Sequence, residues 1–235
     1  MVWGNVVPGV PQVGVPQPTS KPVIAIGITH REEITMQWGL RMLGPLLFVG
    51  VPWCDKLHLL ARGVPQSVAR DQIVTMALAD KRITHILWVD TDNCTVDKDN
   101  KPIDPNLSLE MLYKLNVPIV SGLYRAKQPG FNNAAWLDAN LQENKIGWTP
   151  VQSWTGNFFP VKTVGMGFCL VKREVYEKMT PPWYPWPTTA PSEDFNFCIA
   201  AAKAGYAVNL FTDVKLSHIG NLEVKPDGSI STLEV

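Results

Sequence analysis

The sequence predicts an α/β fold: a sheet of buried strands flanked by helices, in a single compact domain. Three observations predict it. Short continuous apolar runs, Val23–Ile28 (VIAIGI) and His85–Val89 (HILWV), read as strands buried on both faces. Stretches of helical periodicity stand between such runs. The order strand, helix, strand, helix, strand, helix, strand fills the first half, as parallel strands with helical crossovers require. At 235 residues, with 46% apolar and 18% charged side chains, the chain has material for a real core.

Residues 1–22 form a Val/Pro/Gly arm with repeated V-P-x steps, expected to be extended or disordered because proline removes donors and glycine costs entropy. The folded domain is expected over 23–220, with a nucleotide-binding-like half at 23–124 and a mixed α+β half at 125–220. Residues 221–235 are expected to be a C-terminal tail. Val23–Ile28 is the first strand and Glu33–Leu43 a helix. Leu46–Val51 is an apolar run with strand character. Gln66–Asp80 carries Ala69, Ile73, Met76 and Ala77 at helical spacing. His85–Val89 is the third strand and ends at Asp90. Leu107–Leu115 is helical, and Pro118–Ser121 begins a further strand.

Residues 125–160 are rich in Asn, Gln, Trp, Gly and Pro, with a β-like piece at Ala134–Leu137. Val161–Val171 (VKTVGMGFCLV) reads as one long strand holding Gly165 and Gly167. Arg173–Met179 is a short helix, and Thr180–Pro191 is too proline-rich to be regular. Ser192 is a candidate N-cap for a helix Glu193–Ala204 closed by Gly205. Ala207–Phe211 and Lys215–Ser217 are the last expected strands.

Lys plus Arg equals Asp plus Glu at 21 each, so overall charge offers no argument for nucleic acid or an anionic membrane as partner. Cys54, Cys94, Cys169 and Cys198 form no C-x-x-C pair and sit in or beside apolar runs, as small buried thiols do. No apolar run approaches the ~20 residues of a membrane span, and no basic-then-apolar leader is visible. The sequons at Asn93 and Asn106 therefore carry little meaning, and a cytoplasmic protein is expected.

In an open parallel sheet, ligands bind outside the carboxyl ends of the strands. Asp90 and Asp92 stand at such an end, spaced i, i+2 around Thr91, which in extended backbone turns both carboxylates to one side. Two converging carboxylates repel each other unless something offsets their charge. A hard divalent cation does so and accepts diphosphate oxygens as well. The same Asp-x-Asp also fits a solvated turn capped by Asp92 and Asn93. A calcium loop fits poorly: Cys94 stands at position five, the glycine is missing, and no Glu stands at position twelve. The group Asp97-Lys98-Asp99-Asn100-Lys101-Pro102 reads as an exposed turn.

The stretch VARDQIVTMALADKRITHILWVDTDN resembles the GT-A fold glycosyltransferases (nucleotide-diphospho-sugar transferases), including compact phage and archaeal-virus-like members. There an Arg-bearing helix leads to an apolar strand and a D-x-D motif. VGMGFCLVKREVYEKM, ending at Met179, agrees in order and spacing. So does SEDFNFCIAAAKAGYAV from Ser192, followed by KLSHIG. The resemblance runs from about Pro22 to Gly220. It implies a Rossmann-like mixed sheet flanked by helices and transfer from a nucleoside-diphosphate sugar, most often a UDP-sugar, to a hydroxyl acceptor.

By the same resemblance, Asp92 binds Mn²⁺ or Mg²⁺ directly, and Asp90 binds the metal, its water shell or the donor ribose. His218 completes the metal site. Thr29 lies near the nucleotide base, Thr91 in the donor site, and Arg70 near the nucleotide or diphosphate. Gly165 and Gly167 allow close approach of sugar or acceptor. Glu193-Asp194 matches the family's E-D pair, where the aspartate is commonly the base of an inverting reaction; a retaining outcome stays open, because sequence does not place Asp194 against the anomeric carbon. Plainer readings stand beside these. His218 can be a strand-end histidine, Glu193 and Asp194 can serve the helix macrodipole, Gly165 and Gly167 can mark a bulge, and Arg70 can be a surface residue. Trp183, Tyr184 and Trp186 can line a cleft or fill a core; Trp136, Trp148 and Trp154 crowd the other irregular region.

Two rival readings remain. A sugar-1-phosphate nucleotidyltransferase shares the sheet and the metal, but its Gly-rich basic loop is missing where this chain has Gly27-Ile28-Thr29-His30-Arg31-Glu32. A non-catalytic carbohydrate-binding module with a vestigial acidic site would bind neither Mn²⁺ nor UDP.

Overall fold

The structure, a computed structural model, describes residues 21–30, 35–62, 65–126, 133–142, 145–186, 192–219 and 222–232. The expected N-terminal arm and the loop after Thr29 that holds Arg31–Glu33 lie outside these residues, apart from Lys21, Pro22 and His30. The first half runs β1 (Val23–His30), α1 (Met36–Trp38), a π-helical stretch (Gly39–Leu43), α2 (Gly44–Phe48), β2 (Asp55–Arg62), α3 (Gln66–Ala79), β3 (Ile83–Asp90), β4 (Asn93–Val96), α4 (Pro105–Lys114) and β5 (Ile119–Leu123). The second runs β6 (Ala135–Gln142), β7 (Lys145–Pro150), β8 (Phe158–Val161), β9 (Thr163–Val164), β10 (Phe168–Lys172), α5 (Arg173–Lys178), α6 (Glu193–Lys203), β11 (Val208–Ile219), β12 (Leu222–Val224) and β13 (Ile230–Thr232).

A mixed ten-stranded sheet takes strands from both halves, in the order β13-β12-β11-β5-β10-β3-β1-β2, with β4 and β8 also pairing β11. β1 runs parallel to β2 and β3, and β11 parallel to β5; β10 enters antiparallel between β3 and β5. A small second sheet joins β7, β6 and β9.

The pleat explains why β1 is apolar from Val23 to Ile28. Ile24, Ile26 and Ile28 pack on one face with Trp38, Met42 and Leu46, while Ala25 packs on the other with Ile73 and Trp88. Burying side chains of this size stabilises by roughly 1.5–3 kcal/mol each. Gly27 leaves room for Trp88, whose ring lies 3.0 Å from where a Cβ would stand.

Several expectations are corrected. Leu46–Val51 is not a strand: Leu46 lies in α2. Trp38, Met42 and Leu46, four apart, bury one helical stripe, and Thr35 Oγ1 accepts from Trp38 N at 3.2 Å to cap its start. The second strand is β2, DKLHLLAR, where Lys56 and His58 alternate with Leu57 and Leu59 and leave no long continuous apolar run. The long strand expected over Val161–Val171 is three pieces, because Gly165–Gly167 carries the chain from the small sheet into the large one. The two last strands are one, β11, with a register shift between Phe211 and Lys215. The expected tail contributes β12 and β13 to the large sheet.

The remaining elements fall close to their expected places. Gly205, at φ +93°, closes α6 with Tyr206 N donating to Ala201 O and Gly205 N to Ala202 O, both at 3.0 Å. Ser192 occupies the N-cap, but its side chain makes no capping bond. All four cysteines are buried and free. Asp97 accepts from Asp99 N and Lys101 N within an exposed turn. No helix among the described residues is long and apolar enough to cross a membrane.

Candidate active site

α3 follows β2 and lies on the face of β1 and β3 that holds Trp88, which carries Arg70 inside the protein. Its side chain is 1% exposed, with the guanidinium 5.3 Å from the Trp88 ring centroid and 5.7 Å from that of Tyr184. Three carboxylates surround it. Arg70 Nη2 lies 3.1 Å from Asp90 Oδ1 at the end of β3 and 3.4 Å from Asp194 Oδ1; Nε lies 3.4 Å from Glu193 Oε1. Glu193 and Asp194 open α6, so this arginine ties the first half of the chain to the second. Burial opposes its charge, but the three acids outweigh that and hold it charged above the ordinary arginine range.

One cation among three acids leaves carboxylate charge uncompensated. Burial, helped by Glu193 and Asp90 and opposed by Arg70, pushes Asp194 up to about 7. Burial also raises Asp90, again against Arg70 and with help from Asp92 and Glu193. Met166 N donates to Asp194 Oδ2 at 3.3 Å. Thr29, at the end of β1, and Asp90 share Gln66 Nε2 at 3.5 and 3.4 Å.

Thr91 and Asp92 form the turn from β3 into β4. β4 pairs with β11, setting Asn93 opposite His218 and bringing the imidazole to Asp92: Nε2 stands 3.0 Å from Asp92 Oδ2. His218 Nδ1 lies 2.8 Å from Arg125 O, and a carbonyl only accepts, so Nδ1 carries hydrogen. In the neutral ring Nε2 then turns a lone pair toward a carboxylate, an arrangement that a proton or a cation between the two resolves. An imidazole whose other nitrogen donates to a backbone carbonyl is the usual posture of a metal ligand. Asp92 and His218 thus fit a divalent cation. Asp90 does not join them in one cluster: among the described residues no group of three such side chains converges, and Asp90 faces Arg70. Of the roles expected for Asp90, which were the metal, its water shell or the donor ribose, the geometry favours those beside the Asp92–His218 pair over a place within it.

Gly167 is tied to the motif through its carbonyl, which accepts from Asp90 N at 3.2 Å. The space beside it is filled by protein: a Cβ there would stand 2.6 Å from Asn93 Nδ2 and 2.8 Å from Tyr124 Cζ. A Cβ on Gly165 would run into the Tyr124 hydroxyl. Trp183 and Tyr184 are buried, their backbone N–H groups both donating to Asp71 Oδ1 at 2.9 and 3.0 Å, whereas Trp186 is exposed. Trp136 packs on Phe195, and Trp154 stacks on Phe159; the Trp148 side chain lies outside the described residues. The sequons are buried at Asn93 and Asn106. Tyr124, Asp71 and Gln66 lie near the site without a functional role in the sequence pattern, which read Asn93 only as a turn cap or a sequon.

The fold is a mixed α/β fold with helices flanking a central sheet, consistent with the Rossmann-like fold of glycosyltransferases, and solved structures share it. The crystal structure of A197 from STIV matches with a TM-score of 0.61 at 18% identity, over 92% of this chain and 95% of that one. The crystal structure of GalNAc-T7 with UDP, GalNAc and Mn²⁺ matches with a TM-score of 0.52 at 10% identity, over 85% of this chain; the match spans 43% of that chain, less than half its length. Apo UDP-glucose pyrophosphorylase, at a TM-score of 0.42 and 8% identity, is too distant in shape to carry an argument. No protein-family model matches the sequence, nor does any curated protein sequence.

Proposed function

We propose that the protein is a metal-dependent glycosyltransferase of the GT-A type, moving a sugar from a nucleoside-diphosphate sugar, with UDP-sugars the first choice, to a hydroxyl acceptor. The observation that carries this reading is Asp194, a partly buried carboxylate pushed up to about 7, in one arginine-centred cluster with Asp90, two residues before the Asp92–His218 pair. The fold shared with GalNAc-T7, solved with UDP and Mn²⁺, supports it.

Asp92 and His218 would hold Mn²⁺ or Mg²⁺, with Asp90 reaching the metal's water shell or the donor ribose; the imidazole nitrogen favours Mn²⁺. When bound, the cation supplies Lewis-acid stabilisation of the departing diphosphate. Asp194 takes the acceptor's hydroxyl proton as that oxygen attacks the anomeric carbon opposite the leaving group, an inverting transfer. Glu193, paired with Arg70, sets the first turn of α6 and thereby the position of Asp194. Thr29 and Thr91 lie along the donor side in this reading, Gly167 bears on the donor only through the Asp90 backbone it bonds, and Arg70 acts on the donor through the carboxylates it gathers.

A screen of UDP- and GDP-sugars for metal-dependent release of free nucleoside diphosphate tests the proposal, with calorimetric titration of UDP with and without Mn²⁺ beside it. Release from at least one donor is expected, together with metal-enhanced UDP binding. No release and no UDP binding would overturn it, and diphosphate released from UTP would make the protein a nucleotidyltransferase instead.

A further inference from the structure

We propose that Asn93 is the positioning residue of the cation site: it fixes the Asp92 carboxylate, and Gly167 and Tyr124 keep it in place. This rests on the metal-dependent reading above and adds to it the residue that determines how well the cation is held.

Asp92 stands in a two-residue turn, where a half-buried side chain would otherwise swing. Two of its contacts orient its oxygens. His218 Nε2 faces Oδ2 at 3.0 Å, and Asn93 Nδ2 donates to Oδ1 at 3.1 Å. Both oxygens are thereby oriented, one by a candidate ligand and one by a residue that cannot itself replace the carboxylate. Only the amide NH₂ of Asn93 can face an acceptor, so Asp92 dictates which way the amide turns. That choice leaves Asn93 Oδ1 buried with no hydrogen-bond partner among the described residues. A side chain selected for packing would not strand an acceptor at 1% exposure. The arrangement makes sense if Asn93 is retained for what it does to Asp92.

The layer behind it is equally committed. Gly167 is the position at which any side chain would push into Asn93 Nδ2 and the Tyr124 ring. Gly167 N donates to the Tyr124 hydroxyl at 3.1 Å, and the edge of that ring meets His218 with centroids 5.7 Å apart. The backbone pairing of β4 with β11 sets Asn93 directly opposite His218. One asparagine therefore spans the two donors at the backbone through His218 and at the side chain through Asp92.

The test is Mn²⁺ binding to the full chain in the presence of UDP, followed by the electron paramagnetic resonance of free Mn²⁺, for the wild type, Asn93→Ala and the milder Asn93→Ser. The Mn²⁺ dissociation constant is expected to rise about 10- to 100-fold in both variants. The near-UV circular dichroism in EDTA should be unchanged, and saturating Mn²⁺ should restore wild-type UDP affinity. Wild-type Mn²⁺ affinity in a folded variant would overturn the proposal. So would a UDP defect that saturating Mn²⁺ leaves uncorrected, since that marks general damage. If Asn93→Ala does not fold, Asn93→Ser decides alone. Failure of the wild type to bind Mn²⁺ with UDP would instead bring down the metal-dependent reading first, and this proposal with it.

Discussion

Asp194 carries two pH dependences of opposite use. Its proton affinity in the folded protein is raised to about 7 from an ordinary 3.8. Between those values the folded chain keeps a proton that the unfolded chain gives up. This group's stabilising effect is therefore fully present below about 4 and is lost as pH rises toward 7. The base form of the free protein exists above about 7, so kcat/KM should climb with pH to a plateau there. Asp194→Asn should remove that limb and lower kcat by about 10²-fold or more, with donor affinity kept; a pH–rate profile beside calorimetry checks both. Arg70→Leu should cost ~3–5 kcal/mol in urea unfolding, because it strands Asp90, Glu193 and Asp194 inside the protein. Arg70→Lys should recover little, one ammonium being unable to serve three acids as the planar fork does. At this scale spacing and the GT-A resemblance put forward Arg70, Asp90, Asp92, Glu193, Asp194 and His218, and the fold brings them into two adjoining groups. Arg70's partners were not legible, because they lie 20 and 123 positions away along the chain. Tyr124 escaped for the same reason, since it fills the space of a distant glycine, while Asn93 escaped because nothing marks an asparagine that serves its neighbour.

Among the elements, those buried on both faces announced themselves. β1 and β3 are continuous apolar runs because both their faces meet helices or loops, and a pattern of that kind has few other uses. β2 did not, since at the edge of the sheet it alternates charge with leucine. The run around Leu46 misled because six apolar residues fit a strand as well as a helix. Only the i, i+4 relation of Trp38, Met42 and Leu46 separates the two. The β5–β11 pair offers a test of how closely the strands must approach. A Cβ on Gly122 would stand 2.7 Å from Val214 Cγ1 and 2.9 Å from Leu216 Cδ1. Gly122→Ala should therefore destabilise by about 1–3 kcal/mol in denaturant titration, with the slope m unchanged.

The whole molecule is held together across its middle by charge and by β11. α3 and β3 come from the first half and α6 from the second, and their acids meet on one guanidinium. Ligands that engage this junction should stabilise the entire chain. UDP with Mn²⁺ at a hundred times the dissociation constant should add about 2.7 kcal/mol, seen as a raised melting temperature that EDTA reverses. Beyond His218, the chain turns back: β12 sets Val224 opposite His218 and Glu223 opposite Ile219, and Glu223 reaches Arg41 at 3.5 Å. The last hairpin is thus a splint for a single ring. Proteolytic trimming beyond Ile219 would spare every acid in the site, yet it should announce itself as a weakened grip on manganese.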